Sequence, residues 1–476
     1  MAGFVGRRSE LERLGGILDA VEAGGRTGRP GRALLIRGRR RVGKSRLVEE
    51  FIDRRETPHL YFTAIGGSRE EDLAGFAAEL AASTLPGAAD LAGFGPPQTW
   101  DAALTMLATA IPDDRPSVVV LDEVPYLSGE DPTFEGALQK QFDRTLSKLP
   151  VLLILVGSDL ATMEQLNSYG RPFHQRGTEM VVGPLTPPDI ADMTGLPAAE
   201  AIDAYLVTGG LPLILESWPS GAGLWEFLEQ SLNDSTSPLL VSAERSMAAE
   251  FPTETQARRV LSTIGHGERT FTNIGRAAGD LQPTSLKRSL ESLERRGVVV
   301  AELPLSIKPS KLTRYRITDP YLRLWLSFIE PGMPLIERGR GSRVADRLRS
   351  GWTAWRGRAV EPVIREALGR LDDEWIPEGC NYFGGYWTRT NDPEIDIVGT
   401  DRSPVAEKVE LVGSIKWHEN KPFDDRELAR LIVHRSQLPG ADEATPMLAV
   451  TRSGSTAEGV QAIGPEDLLK AWRPQT

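Results

Sequence analysis

Up to about residue 182, apolar residues fall along this chain in two alternating rhythms. Unbroken apolar runs occur at 33–36 (ALLI), 118–121 (VVVL) and 151–156 (VLLILV), each stopping at a small or charged residue. Runs of this length without polar alternation mark parallel strands buried on both faces. Between them the spacing is helical. Leu11, Leu14 and Leu18 recur after Ser9, and further helices are predicted after Lys44, near 70–83, over 99–110 and over 133–149, with one more strand at 59–64. Strands alternating with helices predict an open, mostly parallel sheet covered on both faces, an α/β fold.

From Pro187 the strand rhythm stops. PPDIADMTG, AAEAIDAYLVTGGLPLILESW and GLWEFLEQSL read as successive helices, the second broken at Gly209-Gly210-Leu211-Pro212. Residues 253–330 give two short helices, a third in PTSLKRSLESLERRG and two strands around a turn, the order of a winged helix-turn-helix. The last stretch offers a helix in WRGRAVEPVIREAL, strands at IDIV and SIKW, and a helix over 424–437. A chain of 476 residues exceeds what one core usually serves. Four domains are expected, at 1–186, 187–250, 251–330 and 331–476.

Composition narrows the setting. Hydrophobic content of 40% and charged content of 25% are those of a globular protein. The single cysteine, Cys380, excludes an internal disulfide framework and fits a reducing compartment. The first residues carry charges where a signal peptide needs an apolar core, and the apolar runs are too short to span a bilayer, so a cytoplasmic protein without a membrane partner is expected. A net charge of -11 argues against indiscriminate coating of nucleic acid, yet 26–46 and 287–296 are locally basic. The five histidines form no pair at metal-ligand spacing, and no structural zinc is expected.

The candidate chemistry begins at GRRRVGKS, directly after the first apolar run. Gly38 and Gly43 let backbone N–H groups wrap a phosphate, and the helix that follows adds its positive end. The loop Gly38, Arg39, Arg40, Arg41, Val42, Gly43, Lys44, Ser45 and Arg46 is therefore the expected nucleotide cradle. Lys44 would reach the terminal phosphates and the Ser45 hydroxyl would ligand Mg2+. In SVVVLDE, Asp122 would hold the rest of the magnesium shell, and Glu123 would orient or deprotonate the attacking water. Ser158, after the third apolar run, stands where a polar group senses the terminal phosphate; capping of the strand end is the other reading. Arg171 and Arg176 lie on the next loop, and Arg171 is favoured for offsetting charge on a transferred phosphoryl group. Phe4-Val5-Gly6-Arg7 either covers the nucleotide base or simply leads into an amphipathic helix.

GRRRVGKS, VVVLDE, LILVGS, the YGR loop and YLVTGGLP, in this order and spacing, resemble the prokaryotic archaeal-type ATPases of the AAA/STAND division of P-loop NTPases. The resemblance covers roughly residues 3–235. It implies a P-loop NTPase with a parallel sheet and helical lid, ATP and Mg2+ as cofactors, and roles for Lys44, Ser45, Asp122, Glu123, Ser158 and Arg171. In the winged helix, Ser285, Lys287, Arg288 and Ser289 are candidate DNA contacts, and Lys308, Lys311 and Arg314 would touch phosphates; a winged helix used only for packing or dimerisation is the alternative. The stretch from Leu348 to Ala471 resembles the PD-(D/E)XK nuclease-like domain that often follows such ATPases. That resemblance assigns Glu361, Asp396 and Lys416 to a metal-binding nuclease-like site, but Ser414 stands where an acid belongs, so a degenerate site is expected. The function implied is Mg-dependent ATP binding and hydrolysis, coupled to a winged-helix and nuclease-like module acting on DNA. The alternative is a STAND-type switch with slow hydrolysis and nucleotide-controlled oligomerisation through protein partners. A homo-oligomer is expected in either case.

Overall fold

The computed structural model describes residues 4–24, 28–91, 93–243, 255–267, 269–372 and 374–473, so the start of the segment expected as a winged helix lies outside the described residues. The chain divides into two units, Met1–Leu185 and Thr186–Thr476.

In the first unit, β1 (Arg32–Arg37), β2 (His59–Thr63), β3 (Ser117–Asp122), β4 (Val151–Gly157) and β5 (Gly177–Val181) form one parallel sheet in the order β2-β3-β4-β1-β5. The unbroken apolar runs occupy its interior: every residue of β3 and β4 is buried. Strand β5 lies inside a stretch expected to be a loop. It is an edge strand in which Met180 alone is buried, so it carries no apolar run to announce it.

Helices α1 (Arg8–Gly24), α2 (Lys44–Arg55) and α3 (Arg69–Ala82) follow the predicted spacing. Ser68 and Glu71 close a reciprocal capping box at the start of α3, which satisfies two of its orphan N–H groups. The apolar face of α3 and the helix Trp100–Ala110 bury an aromatic cluster against the sheet. Trp100 meets Phe76 and Phe134 edge-on at centroid distances of 5.6 and 5.2 Å, with Phe62 behind them. Truncating a buried ring of this kind costs about 3–5 kcal/mol.

In the second unit, β6 (Val299–Glu302) and β7 (Arg314–Ile317) make an antiparallel pair after the helices Thr255–Gly265, Phe271–Ala277 and Pro283–Arg295. A mixed sheet of order β12-β11-β10-β9-β8 is built from β8 (Tyr382–Trp387), β9 (Glu394–Thr400), β10 (Val409–Lys416), β11 (Met447–Thr451) and β12 (Gln461–Ile463). The long helix Gly341–Leu368 packs Val360, Ile364 and Ala367 on one face of that sheet. The helix Ala198–Thr208, from the segment expected as a lid, belongs to this second unit and contributes Ile202 and Leu206 to the same core. Leu431, from the helix Asp425–Gln437, joins a second cluster with Val398, Val412 and Ala449. No helix among the described residues is long and apolar enough to cross a membrane.

Candidate functional site

The strand order decides which side chains meet. β1 lies between β4 and β5, and β3 lies beyond β4, so the carboxyl ends of β1, β3 and β4 open side by side. Open α/β sheets hold ligands at such ends. The loop after β1 runs from Gly38 to α2. A Cβ on Gly38 would sit 2.2 Å from the Val182 carbonyl oxygen, so only glycine fits there. Gly43 adopts φ 87°, the left-handed conformation glycine tolerates without strain, and it turns the chain into the first residue of α2.

Lys44 is buried, and its Nζ donates to the carbonyls of Gly38 and Arg39 at 2.9 and 3.0 Å. Desolvation lowers its pKa, while the carboxylates of Glu123 and Asp122 work against that shift. The Ser45 hydroxyl donates to Asp122 Oδ2 at 2.6 Å. Hydroxyl and carboxylate thus converge as hard oxygen ligands, the donor set magnesium prefers. This pair fits the ion, and Ser45 and Asp122 are the residues that would hold it.

Asp122 is fixed from three sides. Its Oδ1 accepts from the Glu123 N–H at 2.8 Å, and its Oδ2 accepts from Tyr61 Oη at 2.9 Å as well as from Ser45. Burial and the neighbouring Asp122 charge push the Tyr61 pKa up, so the phenol stays a donor. Tyr61 was not anticipated. Nothing in the sequence marks it; it reaches Asp122 because β2 pairs with β3 in register, Thr63 opposite Asp122.

Glu123 has φ 55° and caps the helix Val124–Glu130. A left-handed glutamate is a strained residue of the kind that collects at functional sites. The Ser158 hydroxyl lies 3.1 and 2.9 Å from its two carboxylate oxygens. Arg40 reaches Ser158 Oγ at 3.4 Å and Tyr126 Oη at 3.3 Å. Lys44, Ser45, Asp122, Glu123 and Ser158 therefore form one constellation, as their positions in the sequence suggested.

The first unit has the P-loop NTPase fold. Its parallel sheet, glycine loop, helix-starting lysine and serine, and acidic strand end are all in place. Residues 325–428 match the family DUF234, described as archaea bacterial proteins of unknown function. The uncharacterized protein MJECL04 of Methanocaldococcus jannaschii is 25% identical over 455 residues, covering 94% of this chain and 95% of that protein. Among solved structures, the Walker-type ATPase PABY2304 of Pyrococcus abyssi is similar at 19% identity and a TM-score of 0.47, over 68% of this chain and 96% of that one. The ORC2 protein of Aeropyrum pernix, in its ADPNP-ADP complexes, is similar at 14% identity and a TM-score of 0.42, over 71% and 95%.

Other candidates are placed differently. The Arg171 guanidinium pairs with the buried Glu135 at the start of the helix Phe134–Arg144, and Arg176 pairs with Asp143 at 2.9 Å. Arg46 lies on the surface of α2 beside Glu49 and Glu50. Arg7 braces the glycine loop, donating to the Val42 and Gly183 carbonyls at 2.8 and 2.6 Å.

In the second unit, Lys287 and Arg288 are exposed on the helix Pro283–Arg295, with Ser285 partly so. Ser289 is not a surface contact: it is buried and its hydroxyl donates to the Ser285 carbonyl. Arg314 was expected on the outer face of the hairpin. It is instead buried, paired with Glu394 at 2.7 Å and stacked over Trp387 at 4.3 Å, because its position in β7 faces inward.

The nuclease-like residues meet only in part. Asp396 Oδ2 accepts from Ser414 Oγ at 3.1 Å and from the Ile415 N–H at 2.8 Å. Glu361 lies near enough to feel the Asp396 charge, but its carboxylate is held by Arg365 at 3.0 Å. Lys416 pairs with Glu427 at 2.8 Å, and Lys421 and Arg430 crowd the same carboxylate. Among the described residues no group of three or more histidine, cysteine, aspartate or glutamate side chains is arranged to hold a metal ion.

Proposed function

We propose that this protein binds and hydrolyses ATP with Mg2+ and couples its nucleotide state to the second unit acting on DNA. The single observation that carries the reading is the 2.6 Å contact between Ser45 Oγ and Asp122 Oδ2, which joins the glycine loop to the acidic strand end. Backbone N–H groups at the start of α2 receive the phosphates, and Lys44 turns from the loop carbonyls to the terminal phosphates. Mg2+ held by Ser45 and Asp122 would supply charge neutralisation at the phosphates. Glu123, held by Ser158, positions the attacking water and accepts its proton.

The two nitrogen-bearing faces proposed for DNA are Lys287 and Arg288 on the third helix and Lys308 and Lys311 on the hairpin, all exposed. In this reading 331–476 is a nuclease-like domain retained for binding. Arg171 completes a phosphate site only after leaving Glu135, which suits action across a homo-oligomer.

A slow, switch-like turnover is the second reading, favoured by the engagement of both Glu123 oxygens by Ser158. Phosphate release from ATP, measured with and without Mg2+ and DNA, tests both. Magnesium-dependent release that vanishes in Lys44→Ala and Glu123→Gln supports the ATPase. Failure to bind adenine and guanine nucleotides alike overturns it, and co-purifying nucleotide with ATP-dependent assembly size favours the switch.

A further inference from the structure

The second unit holds a cavity of about 980 Å3, separate from every residue assigned above to the glycine loop or the third winged-helix helix. Its walls are the β6–β7 hairpin, the helix Pro320–Leu324, the carboxyl end of Gly341–Leu368 and β8. Arginines enter from several sides: Arg316 from β7, Arg323 from the short helix, and Arg365 and Arg370 from the end of the long helix and just beyond it. The acids on the same wall are Glu302 and Glu366, and each is already engaged, by Arg316 and Arg370 respectively.

Arg323 sits among cations. It donates to the Arg358 carbonyl at 3.0 Å, and Arg269, Arg316 and Arg358 lie near enough to repel it while Glu361 attracts it. Burial lowers the Arg323 pKa to about 10, and its arginine neighbours add to that. The Glu361 carboxylate is held by Arg365 at 3.0 Å. Arg316, Arg365 and Arg370 each hold one carboxylate, that of Glu302, Glu361 and Glu366, whereas Arg323 rests on a carbonyl, so four lining guanidinium groups face two lining carboxylates and an anion would balance them.

The chemistry of a matching anion follows from the donors. Guanidinium forks match phosphate oxygens in pairs, and several forks converging from different elements suit a dianion better than a single carboxylate. The space far exceeds what one inorganic ion fills and falls in the range of organic ligand pockets. Tyr382 and Phe383 line it beside the arginines and supply aromatic surface for an organic body, while Trp387, also on the wall, is covered by Arg314.

We propose that this cavity binds a phosphomonoester, a terminal phosphate on the arginines with its organic body against β8. Free mononucleotide and the 5′-phosphate end of an oligonucleotide share this chemistry. The site uses no residue of the glycine loop, so the ATPase reading can fail while this one stands.

The test is calorimetric titration of the full chain carrying Lys44→Ala, which silences the glycine loop, and of the unmutated chain saturated with ADP. The probes are AMP, a 5′-phosphorylated trinucleotide and the same trinucleotide with a 5′-hydroxyl. One phosphorylated probe binds at one per chain, and the 5′-hydroxyl probe at least tenfold more weakly. AMP binding alone assigns free nucleotide, whereas trinucleotide binding alone assigns a strand end. Arg316→Gln weakens binding about tenfold, the size expected for a charge-assisted hydrogen bond. Arg370→Gln, at a half-exposed position where folding is not at stake, weakens it several-fold. Absence of binding by both phosphorylated probes, or binding unchanged in both arginine variants, overturns the proposal.

Discussion

Arg356 and Asp203 form a buried ion pair across 153 positions of sequence, with Nη1 and Oδ2 2.9 Å apart and side chains 1% and 2% exposed. Arg452 adds a second guanidinium at 2.9 Å, and Trp417 Nε1 donates to the other carboxylate oxygen at 3.0 Å. Arg356 in turn donates to the Trp417 carbonyl, so one network ties the helix Ala198–Thr208 to the long helix and the chain after β10.

Removing Asp203 takes the carboxylate from Arg452 and leaves Arg356 with only Glu419, a half-exposed partner at 3.0 Å. Asp203→Ala is expected to destabilise the second unit by about 3–5 kcal/mol, read as a lowered urea midpoint. Glu366→Ala, which breaks the exposed pair with Arg370, is expected to cost less than about 1 kcal/mol. Equal effects would show that the buried network contributes nothing special.

Tyr61→Phe deletes the donor to Asp122 while keeping the ring packed against β3. Loss of one hydrogen bond to a carboxylate is worth about 1–2 kcal/mol. The Mg2+ concentration at half-maximal ATP turnover is therefore expected to rise roughly five- to thirtyfold, with little change in thermal midpoint. An unchanged magnesium dependence would remove Tyr61 from the site.

Lys44 provides the pH test. Its pKa is lowered in the free site by burial, and a bound phosphate, being anionic, raises it again. Binding therefore takes up protons when the pH lies between the two values. Affinity is greatest below the free-site pKa and falls as the pH rises through it. Calorimetry at alkaline pH in two buffers of different ionisation enthalpy should show net proton uptake; proton release would contradict the assignment.

Asp396 is engaged by Ser414 and Ile415, and Lys416 by Glu427, so the nuclease-like residues are expected to leave supercoiled plasmid uncut with Mg2+ or Mn2+. Cutting that disappears on Asp396→Ala would reverse that expectation.

Local spacing carried the nucleotide site. Gly38, Gly43, Lys44 and Ser45 lie within one turn of loop and helix, and Asp122-Glu123 end an apolar run, so a strand, a loop and their order are enough to foresee that they meet. The order of three helices and a strand pair within 255–317, and the strands around IDIV and SIKW, were legible for the same reason. Tyr61, the Glu135 partner of Arg171, the Glu427 partner of Lys416 and the inward turn of Arg314 were not. Each depends on which strands lie side by side and which helix face turns inward.

The arginine cavity is the extreme case, since Arg316, Arg323 and Arg365 come from different elements and none carries a motif. What the sequence determined by itself was therefore every feature set by neighbours along the chain: the phosphate loop, the buried strands and the acidic strand end. Only the tertiary structure decided which charges share a low-dielectric space, because burial and pairing are properties of packing between elements distant in sequence.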